Sequence, residues 1–170
     1  GIFCLAVLFW GAGAYFIGIS SNGFEAVLWW RIAYIGVIFI PVLFLHFVLS
    51  FLRIRSPIHI GFFYVATLGF LGANLFTHSF IAETQLMFGE LHYMVPTTLY
   101  NIFLGWFVFA VLFAHALIWN QISMAQGSRR QQILFFFLGS FIGFLGGGLS
   151  FLPVYDVAIY PYPNIAVALL

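Results

Sequence analysis

Apolar residues run through this chain in long blocks separated by short polar punctuation. The blocks cover about residues 2–19, 26–52, 58–77, 94–119, 132–152 and 164–170. A membrane-crossing helix needs roughly 20 mostly apolar residues, so five blocks predict full spans and the last a span cut at Leu170. The blocks are too long for strands and lack the alternation of a membrane barrel. The predicted fold class is all-α, a single polytopic bundle with about six spans in residues 1–170.

The punctuation predicts the connections. Ser20-Ser21-Asn22-Gly23 reads as a turn, and residues 53–57 as a short basic loop. Residues 78–93 form a longer loop with Glu83 and Glu90, and residues 120–130 a polar, basic one. Pro153 to Pro163, with Asp156 and three tyrosines, predicts a structured interfacial connection. Pro96 fits the first turn of the fourth helix, where a missing N–H costs little. Pro41 lies mid-span and predicts a kink in the second helix.

Composition agrees with this picture. Of 170 residues, 64% are hydrophobic and 5% charged, against about 25% charged in a soluble domain. So few charges cannot cover a water-facing surface. Nucleic acid is not among the expected partners, because binding it needs a basic patch. The pairs Arg53/Arg55 and Arg129/Arg130 read instead as membrane flanks. Cys4 is the lone cysteine and reads as an inert thiol. No basic leader marks residues 1–19 as a signal peptide, and both termini, lying inside apolar runs, read as cut ends.

Charge also predicts topology. Arginines favour the cytoplasmic side, and the basic loops alternate with the acidic loops of Glu25, Glu83/Glu90 and Asp156. One assignment satisfies every hairpin: acidic loops outside, basic loops inside, and the chain delivered to the cytoplasm beyond Leu170.

Polar groups in hydrocarbon are costly and usually face the bundle interior. Asn101, Gly105, Val108, Leu112, His115 and Trp119 share one face of the fourth helix, and His46, Ser50 and Arg53 share one face of the second. Those faces are expected to look inward. Arg31 lies near the outer end of its helix. Its plainer reading is snorkelling in an aromatic belt; its functional reading is an anion-binding or gating arginine. With Asn74, His78, His92 and Asn101 it is a candidate lining of an outward-facing ligand pocket. Gly139, Gly143 and Gly147 repeat at i, i+4, i+8 and predict close helix packing. His46 and His115 are expected at similar depth on two helices, an arrangement that can ligate haem b axially. No cofactor is otherwise expected, and no HExxH, CxxC or phosphate-binding glycine loop occurs.

Two stretches carry a resemblance. Trp29 to Phe51, WWRIAYIGVIFIPVLFLHFVLSF, shows an aromatic-Arg, Tyr-Ile-Gly, Pro, Leu-His-Phe pattern. Arg129 to Leu170 shows an Arg-x-Gln entry, a glycine-rich helix, a Phe-Leu-Pro turn and Tyr162-Pro163-Asn164 before the last block. These resemble the seven-helix N-terminal sensory region of bacterial histidine kinases. The resemblance implies seven helices, the first and most of the last falling outside these residues. It implies a sensor in the bacterial cytoplasmic membrane with no catalytic site in this segment. A cytoplasmic histidine kinase domain would follow in the same chain, acting as a homodimer on a response regulator. Two other readings stand beside it: a haem b electron-transfer subunit using His46 and His115, and a piece of a transporter, which predicts inverted repeats and broken helices.

Overall fold

The computed structural model describes residues 1–55, 57–160 and 162. Five helices follow in order: α1 (Ile2–Gly18), α2 (Gly23–Phe51), α3 (Pro57–Phe76), α4 (Thr98–Met124) and α5 (Gly127–Leu149). A short hairpin, β1 (Thr84–Met87) and β2 (Leu91–Met94), joins α3 to α4, and a 3-10 turn (Leu152–Tyr155) follows α5. Among the described residues, α2, α4 and α5 with its 3-10 extension are long and apolar enough to cross a membrane. α1 is a shorter apolar helix of 17 residues, as is the described part of α3 over Ile60–Phe76. The expected block at 164–170 lies outside the described residues.

Local chemistry explains the helix ends. Asn22 caps α2, its side chain accepting from Glu25 N at 2.9 Å, and Glu25 accepts in return from Ser21 N; this is reciprocal capping of free N–H groups. α2 then runs unbroken through Pro41 for 29 residues, about 43 Å at helical rise. It ends where Arg53 turns left-handed (φ 59) and Ile54 N reaches back to Leu49 O at 2.8 Å, a Schellman closure. Arg129 donates to Phe51 O at 2.6 Å and lies 4.5 Å over the Phe51 ring, placing a cation at the negative end of α2.

α2 is the central helix. α1, α3 and α4 pack on it, and α5 packs on α4. Two apolar clusters divide the core lengthwise, one around Trp30, Tyr34, Phe80 and Tyr100, the other around Val42, Leu45, Ala114 and Ile118. α1 and α2 approach most closely at two glycines. A Cβ on Gly36 would collide with the Ala6 carbonyl oxygen and lie 2.8 Å from Phe9 Cβ; one on Gly13 would collide with Ala33 Cβ. The helices touch there backbone to backbone.

Several expectations need correction. The fourth helix starts at Thr98, not residue 94, because residues 91–94 pair with 84–87 as antiparallel strands. Pro96 therefore precedes the cap, Thr97, which accepts from Tyr100 N at 3.1 Å. The polar faces of α2 and α4 do not look inward: Asn101, Gly105, Val108, Leu112 and Trp119 are exposed, as are His46, Ser50 and Arg53. α4 buries Tyr100, Phe103, Phe107, Ala110 and Ala114 instead. Rings fill the space against α2 better than the smaller polar groups, of which His46 bonds to Tyr64 and Asn101 to Tyr155. Of that α4 face, only His115 is buried.

Candidate functional site

One turn of α2 gathers the end of the bundle that carries Glu25, Glu83, Glu90 and Asp156. Trp30, Arg31 and Tyr34 leave it in three directions. Trp30 Nε1 donates to the His92 carbonyl at 2.8 Å, holding β2. Arg31 Nη2 donates to Thr77 O and Ile81 O, both at 2.9 Å, and meets His78 Nδ1 at 3.0 Å. Tyr34 OH donates to Tyr100 OH on α4 at 2.9 Å, and both residues are fully buried. The Tyr34 ring also packs edge-on against Phe80 and Phe103.

The Arg31 contacts form a compact polar site. Thr77 directly follows α3, so its carbonyl belongs to the negative helix end, and one guanidinium nitrogen, Nη2, meets all three acceptors. Because Arg31 can only donate, His78 Nδ1 is an acceptor, and the two N–H groups of Nη2 are shared among the three acceptors. Asn74, fully buried, returns the tie by donating from Nδ2 to the Arg31 carbonyl at 2.9 Å. Arg31 Nε and Asn74 Oδ1 are buried and bonded to no other protein group.

The five candidate residues fall into three places. Arg31, Asn74 and His78 come together. His92 lies on β2, tied through its carbonyl to Trp30. Asn101 lies on α4, where its Oδ1 accepts from Tyr155 OH at 2.5 Å. The residues that join these places, Trp30, Tyr34 and Tyr155, were not among the sequence candidates. Their aromatic character in apolar runs reads as packing, and only the third dimension shows their polar tips meeting.

The hairpin closes over this end. Thr84 Oγ1 donates to Gly23 O at 3.3 Å, and Gln85 Nε2 donates to Asp156 Oδ1 at 2.6 Å. The first contact links the hairpin to the start of α2, the second to the turn after α5. Tyr93 is buried in the packing against Trp30, and that burial, with Tyr160 nearby, raises its hydroxyl pKa above the ordinary tyrosine value.

The two histidines proposed as an axial pair have separate partners. His46 Nδ1 meets Tyr64 OH of α3 at 2.8 Å. His115 Nδ1 meets Val111 O at 2.8 Å and its Nε2 meets Ser140 Oγ of α5 at 3.3 Å. Among the described residues no group of three His, Cys, Asp or Glu side chains is placed to hold a metal ion.

A family model described as the N-terminal 7TM region of histidine kinase matches residues 1–170. Comparison with curated proteins and with solved structures finds no match.

Proposed function

Because the chain belongs to the N-terminal seven-transmembrane region of histidine kinases, a membrane sensory region without a catalytic site of its own, we propose a specific route for its signal. A stimulus acts at the acidic end of the bundle, outside the bacterial inner membrane. It changes how the hairpin and the 77–81 loop sit on Trp30, Arg31 and Tyr34, and α2 carries the change to the basic end. The observation that supports this is the convergence of three elements on that one turn of α2. The clustering of acidic connections at one end and of Arg53 and Arg129 at the other supports the direction. The output is a cytoplasmic kinase domain in the same chain, working as a homodimer on a response regulator. A stimulus can do this only by favouring one packing state over another.

The test is basal autophosphorylation of the full-length protein in vesicles. Trp30→Phe keeps the ring and deletes the donor to His92, and it is expected to change the basal level at least threefold. An unchanged level in a folded variant would remove the hairpin tie from the signal route.

No haem is proposed. His46 and His115 serve as ties between helices, to α3 and α5 respectively. The purified protein is therefore expected to show no Soret absorption. A Soret band lost on His115→Ala would restore the electron-transfer reading.

A further inference from the structure

Aromatic rings from four parts of the chain surround one hollow at the acidic end of the bundle. Trp10 comes from α1, Trp30 from α2, Tyr93 from β2, and Tyr160 from the segment after the 3-10 turn. The hollow holds about 180 Å³, with Ala14 and Leu91 among its other walls. Ring centre to ring centre, Trp30 lies 6.2 Å from Trp10 and 5.8 Å from Tyr93, tilted by 45° and 52°. Neither pair stacks flat, so these rings stand at angles, as the sides of a box do. The ring of Tyr160 packs on Phe88 at 5.3 Å, which ties that side to the hairpin. Trp30 commits its N–H to the His92 carbonyl, so what the indole offers the hollow is its ring.

Charge around the hollow has one sign. Among the described residues no basic side chain lines it. Arg31, next to Trp30 in the chain, is turned to Thr77, His78 and Ile81 instead. The chain has four carboxylates in all, and all belong to this end. Glu90 directly precedes Leu91 of the wall, and Asp156 is bonded to Gln85 of the hairpin. Aromatic faces attract a cation within about 6 Å, and tryptophan does so most strongly. A quaternary ammonium group suits such walls, because it carries charge without an N–H and fills apolar space with its methyl groups. A primary ammonium or a guanidinium would bring N–H donors that need acceptors. At about 180 Å³ the hollow is smaller than the roughly 300 Å³ at which sites for drug-sized ligands begin, so it takes a small head group.

We propose that this hollow binds a small quaternary ammonium cation, held by the rings of Trp10, Trp30, Tyr93 and Tyr160. This deepens the proposed function by naming the chemical class of the stimulus, and it rests on that reading for its meaning as a signal. The binding itself stands without it. A cation here touches α1, α2, the hairpin and the segment after α5 together, and draws them toward Trp30 on the turn of α2 where the proposed route starts.

Calorimetric titration of the purified full-length protein in dodecyl maltoside tests this. The probes are tetramethylammonium, choline and neohexanol, the uncharged isostere of choline. Both cations are expected to bind, and the alcohol roughly tenfold more weakly or worse. Trp10→Leu is expected to weaken choline binding roughly tenfold, and Trp10→Phe less, because a weaker cation-binding ring remains. Tyr160 is exposed, so Tyr160→Leu keeps the test open if the Trp10 variants fail to fold; it is expected to weaken choline roughly threefold. Equal binding of choline and the alcohol would overturn the proposal, because the hollow would then be merely apolar. So would no binding of either cation by protein of intact helix content, or wild-type choline affinity in Tyr160→Leu. Displacement of choline by a short-chain phosphatidylcholine, but not by the matching phosphatidylglycerol, would support the site and assign it to a lipid head group. Displacement by neither would support it as a site for a free cation. Autophosphorylation with and without choline is read separately. Choline bound with kinase activity unchanged would take the hollow out of the signal route and leave the binding site standing.

Discussion

Gly36→Ala is expected to destabilise the bundle by about 3 kcal/mol, at the upper end of overpacking costs. Two effects of opposite sign compete at this position. Alanine is the better helix former by about 1 kcal/mol, so propensity alone predicts a gain. The new Cβ, however, would occupy the place of the Ala6 carbonyl oxygen and crowd Phe9 Cβ. A flexible side chain could turn away, but a helical backbone carbonyl cannot. α1 would have to move off α2 along its length, losing contacts that include the stacking of Phe16 on Trp29 at 4.1 Å. Gly11→Ala is the matched control, because a Cβ there meets nothing within 4 Å. It should be neutral or slightly stabilising. Unfolding in mixed micelles by a graded denaturing detergent reads both. Equal stability of the two variants would show that α1 and α2 do not pack through Gly36.

The contrast between those glycines shows where sequence reasoning runs out. A lone glycine in an apolar run looks the same whether it faces lipid or another backbone. Gly139, Gly143 and Gly147 drew attention by their spacing, while Gly13 and Gly36, which meet α2 and α1 respectively, have no such signature. An all-α bundle of apolar helices was legible because length and apolarity settle it, whereas of the six expected spans three described helices have the length and apolarity to cross a membrane. The segregation of acidic and basic connections to opposite ends of the bundle was legible from charge. The hairpin was not. Its turn places Phe88 and Gly89 at φ 56 and 78, as a type I′ turn requires, but the usual Asn-Gly or Asp-Gly signal is absent. Four-residue strands between two spans also leave too little alternation to read. Missing the hairpin hid the route from His92 to Trp30. Arg31, Asn74 and His78 could be grouped beforehand because they share one end of two neighbouring spans. Asn101 could not be placed, since its partner Tyr155 comes from the far side of α5.

Arg31→Ala is expected to cost about 3 kcal/mol, the scale of one or two hydrogen bonds to a charged group. The loss would fall on the connection between α2 and the end of α3. Removing the guanidinium frees the Thr77 and Ile81 carbonyls as well as His78. It leaves in place the Asn74 tie, which uses the Arg31 carbonyl and survives any side-chain change. Arg31→Lys should recover less than half of the loss, because the shorter side chain ends in a compact, strongly hydrated ammonium that does not reach the position of Nη2. His78→Ala removes one acceptor and should cost about 1 kcal/mol. The ordering decides what Arg31 does. If His78→Ala matched Arg31→Ala, the ring would be the whole of the tie and the carbonyls incidental. If Arg31→Lys behaved as wild type, charge alone would suffice, and the plainer reading of a snorkelling cation would hold. The expected order, Ala worst, Lys intermediate and His78→Ala mildest, places the energy in the Nη2 contact with the carbonyls at the α3 end. Under the proposed function that contact is also where a ligand would act. A molecule engaging Arg31 Nε and Asn74 Oδ1 would shift the guanidinium against the carbonyls it now holds, and α2 against α3 with it.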